Sequence, residues 1–111
     1  MDIRITGQHL KLTDGMKDHV NEKLARFQKF SPRLVESRVI LKKERHYYEA
    51  EMTLLARHLR AFGKGQNKEN IYAAVDQAVH RVEKQLKKYR EKVKQHKGIH
   101  KEISEAEALS Q

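Results

Sequence analysis

Apolar and polar positions alternate at the start of the chain. From Asp2 to Gln8, Ile3 and Ile5 point one way and Arg4 and Thr6 the other, the pattern of a half-buried strand. Thr13 then offers an N-cap hydroxyl with Asp14 in the first turn. Met16, Val20, Leu24, Phe27 and Phe30 follow at helical spacing, one face of an amphipathic helix that Ser31-Pro32 should end. A second strand is expected over about Val35 to Arg45, with Val35, Val39 and Leu41 on one face. The third, Tyr47 to Arg57, alternates most clearly: Tyr48, Ala50, Met52, Leu54 and Ala56 inward, Glu49, Glu51 and Thr53 outward. A short fourth strand, Leu59 to Phe62, runs into Gly63-Lys64-Gly65, which reads as a loop.

The last segment carries the strongest pattern. Asn67 is placed to cap a helix from Lys68 to about His96, stopped by Gly98. Its apolar face is Ile71, Val75, Ala78, Val79, Val82, Leu86, Tyr89 and Val93. Such a helix is ~43 Å long and should outreach the sheet beneath it. The predicted order is β-α-β-β-β-α. The expected fold is α+β, a four-stranded mixed sheet with strands one and two parallel and both helices on one face. Residues 98–111 keep no apolar period and read as a flexible tail, which leaves 1–97 as the folded α/β domain.

Charge changes the picture. The 111 residues hold 24 Lys and Arg against 15 Asp and Glu, a net +9 that points to a polyanionic partner. The tail is mildly acidic, with Lys101 against Glu102, Glu105 and Glu107, so the basic excess belongs to residues 1–97. Cysteine is absent, which excludes disulfides, thiolate metal sites and a Cys nucleophile and fits a reducing cytoplasm. No apolar run is long enough to cross a membrane, and the start MDIRITGQHL lacks the basic and apolar stretches of a secretory leader.

The basic residues are ordered. On the last helix Arg81, Lys84, Lys88 and Lys92 form one ridge away from the core, and Lys87, Arg90 and Lys94 a second. From Lys87 to Lys97 six Lys or Arg face one Glu, an excess that local pairs such as Glu83–Lys87 do not absorb. The first helix adds Arg26 and Lys29 on its outer side, with Arg33 just after it. Lys23 sits nearer the apolar edge and has to snorkel. Rows of cations on a helix suit the phosphates of RNA or DNA. Tyr48, Tyr89, Phe27 and Phe30 read as core, and no aromatic pair marks a sheet face for RNA stacking. The seven His show no metal-binding spacing, and Gly63-Lys64-Gly65 lacks the P-loop pattern. No nucleophile, acid pair or triad stands out, so neither an enzyme nor a cofactor is expected.

The run Glu69-Asn70-Ile71-Tyr72-Ala73-Ala74-Val75-Asp76, followed by Val82-Glu83-Lys84-Gln85-Leu86-Lys87-Lys88, resembles the ribosome hibernation-promoting factor family, which includes the ribosome-associated inhibitor protein Y. Ile3-Arg4-Ile5-Thr6-Gly7, Leu12-Thr13 and Val39-Ile40-Leu41-Lys42 fit it as well, so the resemblance spans about residues 1–97. It implies the same element order. It implies binding to the small ribosomal subunit between head and body, over the tRNA sites and mRNA channel, holding ribosomes inactive when growth slows or stops. The chain is too short for the dimerisation domain of the family's long members, so the resemblance is to a short form, and a monomer is expected off the ribosome. Carried over by position, the rRNA-contacting residues are Arg81, Lys84, Lys87, Lys88 and Lys92 of the second helix and Lys23, Arg26 and Lys29 of the first. They would touch phosphate, leaving specificity to shape. Two other readings fit the charge pattern: a general double-stranded RNA binder, whose domain layout is similar, and a basic module docking an acidic protein.

Overall fold

The computed structural model describes residues 2–28, 34–57 and 59–97, with the side chains of the last helix as far as Arg90. The elements are β1 (Asp2–Gln8), α1 (Asp14–Phe27), β2 (Leu34–Lys43), β3 (Tyr48–Ala56), β4 (Leu59–Asn67) and α2 (Ile71–Lys97). The strands form one sheet in the order β1-β2-β3-β4. β1 runs parallel to β2 with Ile5 opposite Val39, and β2–β3 and β3–β4 are antiparallel. The expected mixed sheet and element order are therefore present.

Both helices cover one face. Val20, Leu24 and Phe27 of α1 and Ile71, Val75, Val82 and Leu86 of α2 are buried with Val39, Leu41, Met52 and Leu54 of the sheet in one core. Burying each such side chain is worth about 1.5–3 kcal/mol, so this face drives folding. Thr13 caps α1 as its sequence suggests: its Oγ1 accepts from the Met16 N–H at 3.2 Å. The helix closes at Phe27, with Gln28 as its C-cap. Phe30, Ser31, Pro32 and Arg33 lie outside the described residues, as does the tail 98–111.

Four expectations need correction. First, β2 starts at Leu34 and ends at Lys43, and Val35 is 59% exposed instead of sharing the inner face with Val39 and Leu41. Leu34 pairs with Ala56 and Glu36 with Leu55, so Val35 is the extra residue of a bulge and Leu34 takes its inward place. Second, Tyr47 precedes β3: its carbonyl accepts from the Glu44 N–H at 2.8 Å and closes the β2–β3 hairpin.

Third, Gly63-Lys64-Gly65 is not a loop. β4 continues through it to Asn67, with Gly63 and Gly65 facing α2. A Cβ on Gly65 would collide with the Ala74 carbonyl oxygen and stand 2.8 Å from the Ala78 nitrogen. One on Gly63 would collide with the Ala78 carbonyl oxygen. The glycines let the α2 backbone lie directly on β4.

Fourth, α2 begins at Ile71 rather than Lys68. Asn67 Oδ1 accepts from Glu69 and Asn70 N–H, both at 2.9 Å, in a turn that precedes the helix. Asn70 is the cap itself: its Oδ1 accepts from the Tyr72 N–H at 2.7 Å and its carbonyl from the Ala74 N–H at 3.3 Å. The 27 residues from Ile71 to Lys97 extend about 40 Å, well past the length of a nine-residue strand.

Candidate nucleic-acid interface

Three sides of α2 meet different surroundings. One is the core. A second faces α1, where anions of α2 meet cations of α1. His19 Nε2 lies 2.7 Å from Asp76 Oδ1 and Lys23 Nζ 3.8 Å from the same oxygen, while Arg26 is 3.4 Å from Glu83 Oε2. The Tyr72 ring meets His19 edge to face at 5.1 Å. Lys23 lies half-buried against this seam. Glu83 pairs across to Arg26 rather than along its own helix to Lys87.

The third side seals the outer edge of β4. Gln77, Arg81 and Gln85 fall in one row at four-residue spacing. Gln77 Oε1 accepts from the Gln66 N–H at 2.7 Å. The Arg81 guanidinium donates to the Lys64 carbonyl. Gln85 takes the Phe62 N–H at 2.9 Å and donates back to the Phe62 carbonyl. These side chains satisfy the backbone groups that an edge strand leaves bare. Arg81 thus has a structural partner that its place in a basic ridge did not reveal.

What remains is the outer surface of α2. Lys84, Lys87 and Lys88 are exposed and make no ion pair among the described residues. They lie within five residues of one another on a rigid helix, so their ammonium groups form one patch. Lys92 is on the same helix, but its side chain lies outside the described residues, as does the whole of Lys29. Of the eight predicted contact residues, three are unengaged cations and three are tied to Asp76, Glu83 or the β4 edge. Pairing at the α1–α2 seam is the ordinary fate of surface charges and is worth at most about 1 kcal/mol each, so Lys23 and Arg26 stay available to a polyanion.

The opposite face of the sheet is open and carries a polar network. Glu49 points outward as its alternation predicts, yet it is buried beneath its partners. Gln66 Nε2 donates to it at 2.8 Å, and Lys42 and Lys64 each approach it at 3.4 Å. Burial works to raise the Glu49 carboxyl, but the hydrogen bond it accepts from Gln66, the charge of Lys64 and the hydrogen bond from Lys42 help to outweigh it and hold the group below its ordinary value. Lys42 is raised, chiefly by its 2.7 Å hydrogen bond to Glu51. On the helix-facing side, at the hairpin end of the sheet, Lys43 Nζ sits 4.2 Å above the Tyr48 ring. Among the described residues no three His, Asp or Glu side chains are grouped to hold a metal. No helix among them is long and apolar enough to cross a membrane.

A four-stranded α+β layer whose longest helix carries exposed cations defines a class by its architecture: a small basic α+β protein. The sequence model described as Sigma 54 modulation protein / S30EA ribosomal protein matches residues 3–94, and the chain belongs to that family. The Ribosome hibernation promoting factor of Pseudomonas putida is 34% identical over 92 residues, spanning 83% of this chain and 89% of that protein. The protein of the same name from Escherichia coli K12 is 30% identical over 98 residues, spanning 86% and 100%. Among solved structures, the Thermus thermophilus Protein Y N-terminal domain superposes with a TM-score of 0.73 at 29% identity, covering 80% of this chain and 99% of that one. A ribosomal subunit interface protein from Coxiella burnetii shares the fold, with a TM-score of 0.76 at 22% identity over 83% of this chain and 100% of that one.

Proposed function

We propose that this protein is a ribosome hibernation factor. In this reading it binds the small ribosomal subunit at the decoding and tRNA-site cleft, inhibits translation by occupying it, and keeps ribosomes inactive but intact in slow growth or stationary phase. The names carried by its relatives support the ribosomal target. The observation that carries the mechanism is the patch of Lys84, Lys87 and Lys88, exposed and unpaired among the described residues on a helix whose other sides are committed to the core, α1 and β4. Three ammonium groups anchored close together on one helix neutralise rRNA phosphates, and each contact releases a counterion. Lys23 and Arg26 extend the patch by exchanging their carboxylate partners for phosphate. Arg81, Lys29 and Lys92 complete the proposed contact set. The protein acts as a wedge in the cytoplasm, a monomer off the ribosome, with no catalytic step and no cofactor.

The test is sedimentation of purified protein with small subunits, large subunits and whole ribosomes across a salt series. Wild type should co-migrate with small subunits and whole ribosomes, and less so as salt rises. K84E/K87E/K88E should lose co-migration at physiological salt while keeping its circular dichroism. The logarithmic salt slope should fall by about two units or more, at roughly 0.7–0.9 per lost phosphate contact. Undiminished binding of the triple variant would remove these lysines from the interface. Equal affinity for an isolated RNA duplex would replace the ribosomal reading with general duplex binding.

A further inference from the structure

The face of the sheet turned away from the helices has no partner element among the described residues, yet it is not bland. Arg60, Phe62 and Lys64 are alternate residues of β4 and so share this face, about 7 Å apart in succession. Phe62 is 43% exposed, an aromatic ring left in solvent between two cations. The register continues the row: Phe62 lies opposite Thr53, Thr53 opposite Arg38, and Arg38 opposite Arg4. A line across all four strands therefore reads Arg4, Arg38, Thr53, Phe62.

Carboxylates are present on this face, but most sit lower than the cations they pair with. The Arg38 side chain is 61% exposed and its Glu36 partner 18%; Lys64 is 46% exposed and its Glu49 partner 5%. Arg60 is exposed and makes no ion pair among the described residues. Asp2 is nearly as exposed as its partner Arg4, so the cationic excess at the surface of this face lies with Arg38, Arg60 and Lys64.

We propose that this open face binds a single-stranded segment of RNA, with a base stacked on Phe62 and the flanking phosphates on Arg60, Arg38 and Lys64. A sheet face with an exposed ring suits an unpaired base, whereas the bases of a duplex are stacked on one another and cannot reach it. Charge complementarity selects RNA over an apolar peptide, since Arg60 and Lys64 flank the ring along β4. The surface is separate from the lysine patch of α2, so the protein offers polyanions a face on each side of its core.

The substitution is clean. The hydrogen bonds between Phe62 and Gln85 use the Phe62 backbone N–H and carbonyl, so F62A keeps both groups of the β4 seal. The measurement is fluorescence anisotropy with labelled oligouridine and oligoadenine decamers on the full chain, in wild type, F62A, F62Y and K84E/K87E/K88E. F62A should weaken decamer binding about tenfold, and F62Y should restore it, because loss of one stacked base has an effect of that order. In K84E/K87E/K88E the F62A effect should persist. Photocrosslinking of 4-thiouridine decamers should label β4. Equal affinity of F62A and wild type, or crosslinks confined to α2, would overturn the inference. So would F62A losing ribosome co-migration with unchanged decamer affinity, which would make the face a protein-docking surface. The lysine-patch result is read independently, so the proposed function can stand if this inference falls.

Discussion

Gly65→Ala tests how the basic helix is held. The added Cβ would collide with the Ala74 carbonyl oxygen and stand 2.8 Å from Ala78 N and 2.9 Å from Gln77 Cβ. Two of these three atoms are helix backbone, which cannot rotate aside, so α2 must lift from β4 as a unit. Overpacking of this kind typically costs about 1–3 kcal/mol. Lifting α2 also stretches the Gln77–Gln66 and Arg81–Lys64 hydrogen bonds, each worth about 1 kcal/mol. Against this, alanine loses about 0.4–1 kcal/mol less than glycine on ordering from the unfolded chain. The expected net loss is about 2–4 kcal/mol, a large fraction of a total stability of about 5–15 kcal/mol. Urea unfolding followed by circular dichroism at 222 nm measures it directly. Gly15→Ala is the control: its Cβ meets the far end of the exposed Tyr72 side chain at 2.9 Å, and alanine is the better helix former, so stability should hold or rise. A Gly65→Ala loss below about 0.5 kcal/mol would refute the claim that glycine is needed for the approach of helix to strand.

Three further outcomes follow from the same geometry. Arg81→Ala should lower stability by about 1 kcal/mol, since the Lys64 carbonyl loses its donor. In the sedimentation assay it should reduce the salt slope less than Lys84→Ala does, and the reverse order would make Arg81 chiefly a phosphate contact. Glu49, held below its ordinary value in the fold, adds stability that is complete above the usual glutamate range. That stability is lost as pH falls through the lowered folded value, so wild type should weaken below about pH 4.3 and Glu49→Gln should show a flatter acid limb in pH-dependent melting. Ser37 Oγ is fully buried and has no hydrogen-bond partner among the described residues. Ser37→Ala should therefore hold or raise the denaturation midpoint, by up to about 1 kcal/mol, and a clear loss would point to a partner for the hydroxyl that the fold does not display.

Much of the fold was legible along the chain. Ile3 and Ile5, the alternation from Tyr48 to Ala56 and the row from Ile71 to Leu86 each repeat with the period of the element they form, and period depends on local sequence alone. The Thr13 cap is local in the same way. Order and short connections then left few topologies, and the observed sheet is the expected one. Lys84, Lys87 and Lys88 could be placed on the outside because the core face of α2 was unambiguous.

Only the tertiary structure decided the rest, because the deciding partners are far apart in sequence. Gly63 and Gly65 read as a loop until the Ala74 and Ala78 backbone is seen to occupy the space of their missing side chains. Val35 reads as core until pairing with β3 makes it the extra residue of a bulge. Phe62 read as the end of a strand; the register of β4 puts its ring on the open face. Arg81, Lys23 and Arg26 look equivalent to Lys84 in a count of charges. They differ because Lys64, Asp76 and Glu83 reach them across the fold, and no periodicity in one segment reports which charges another segment has already taken.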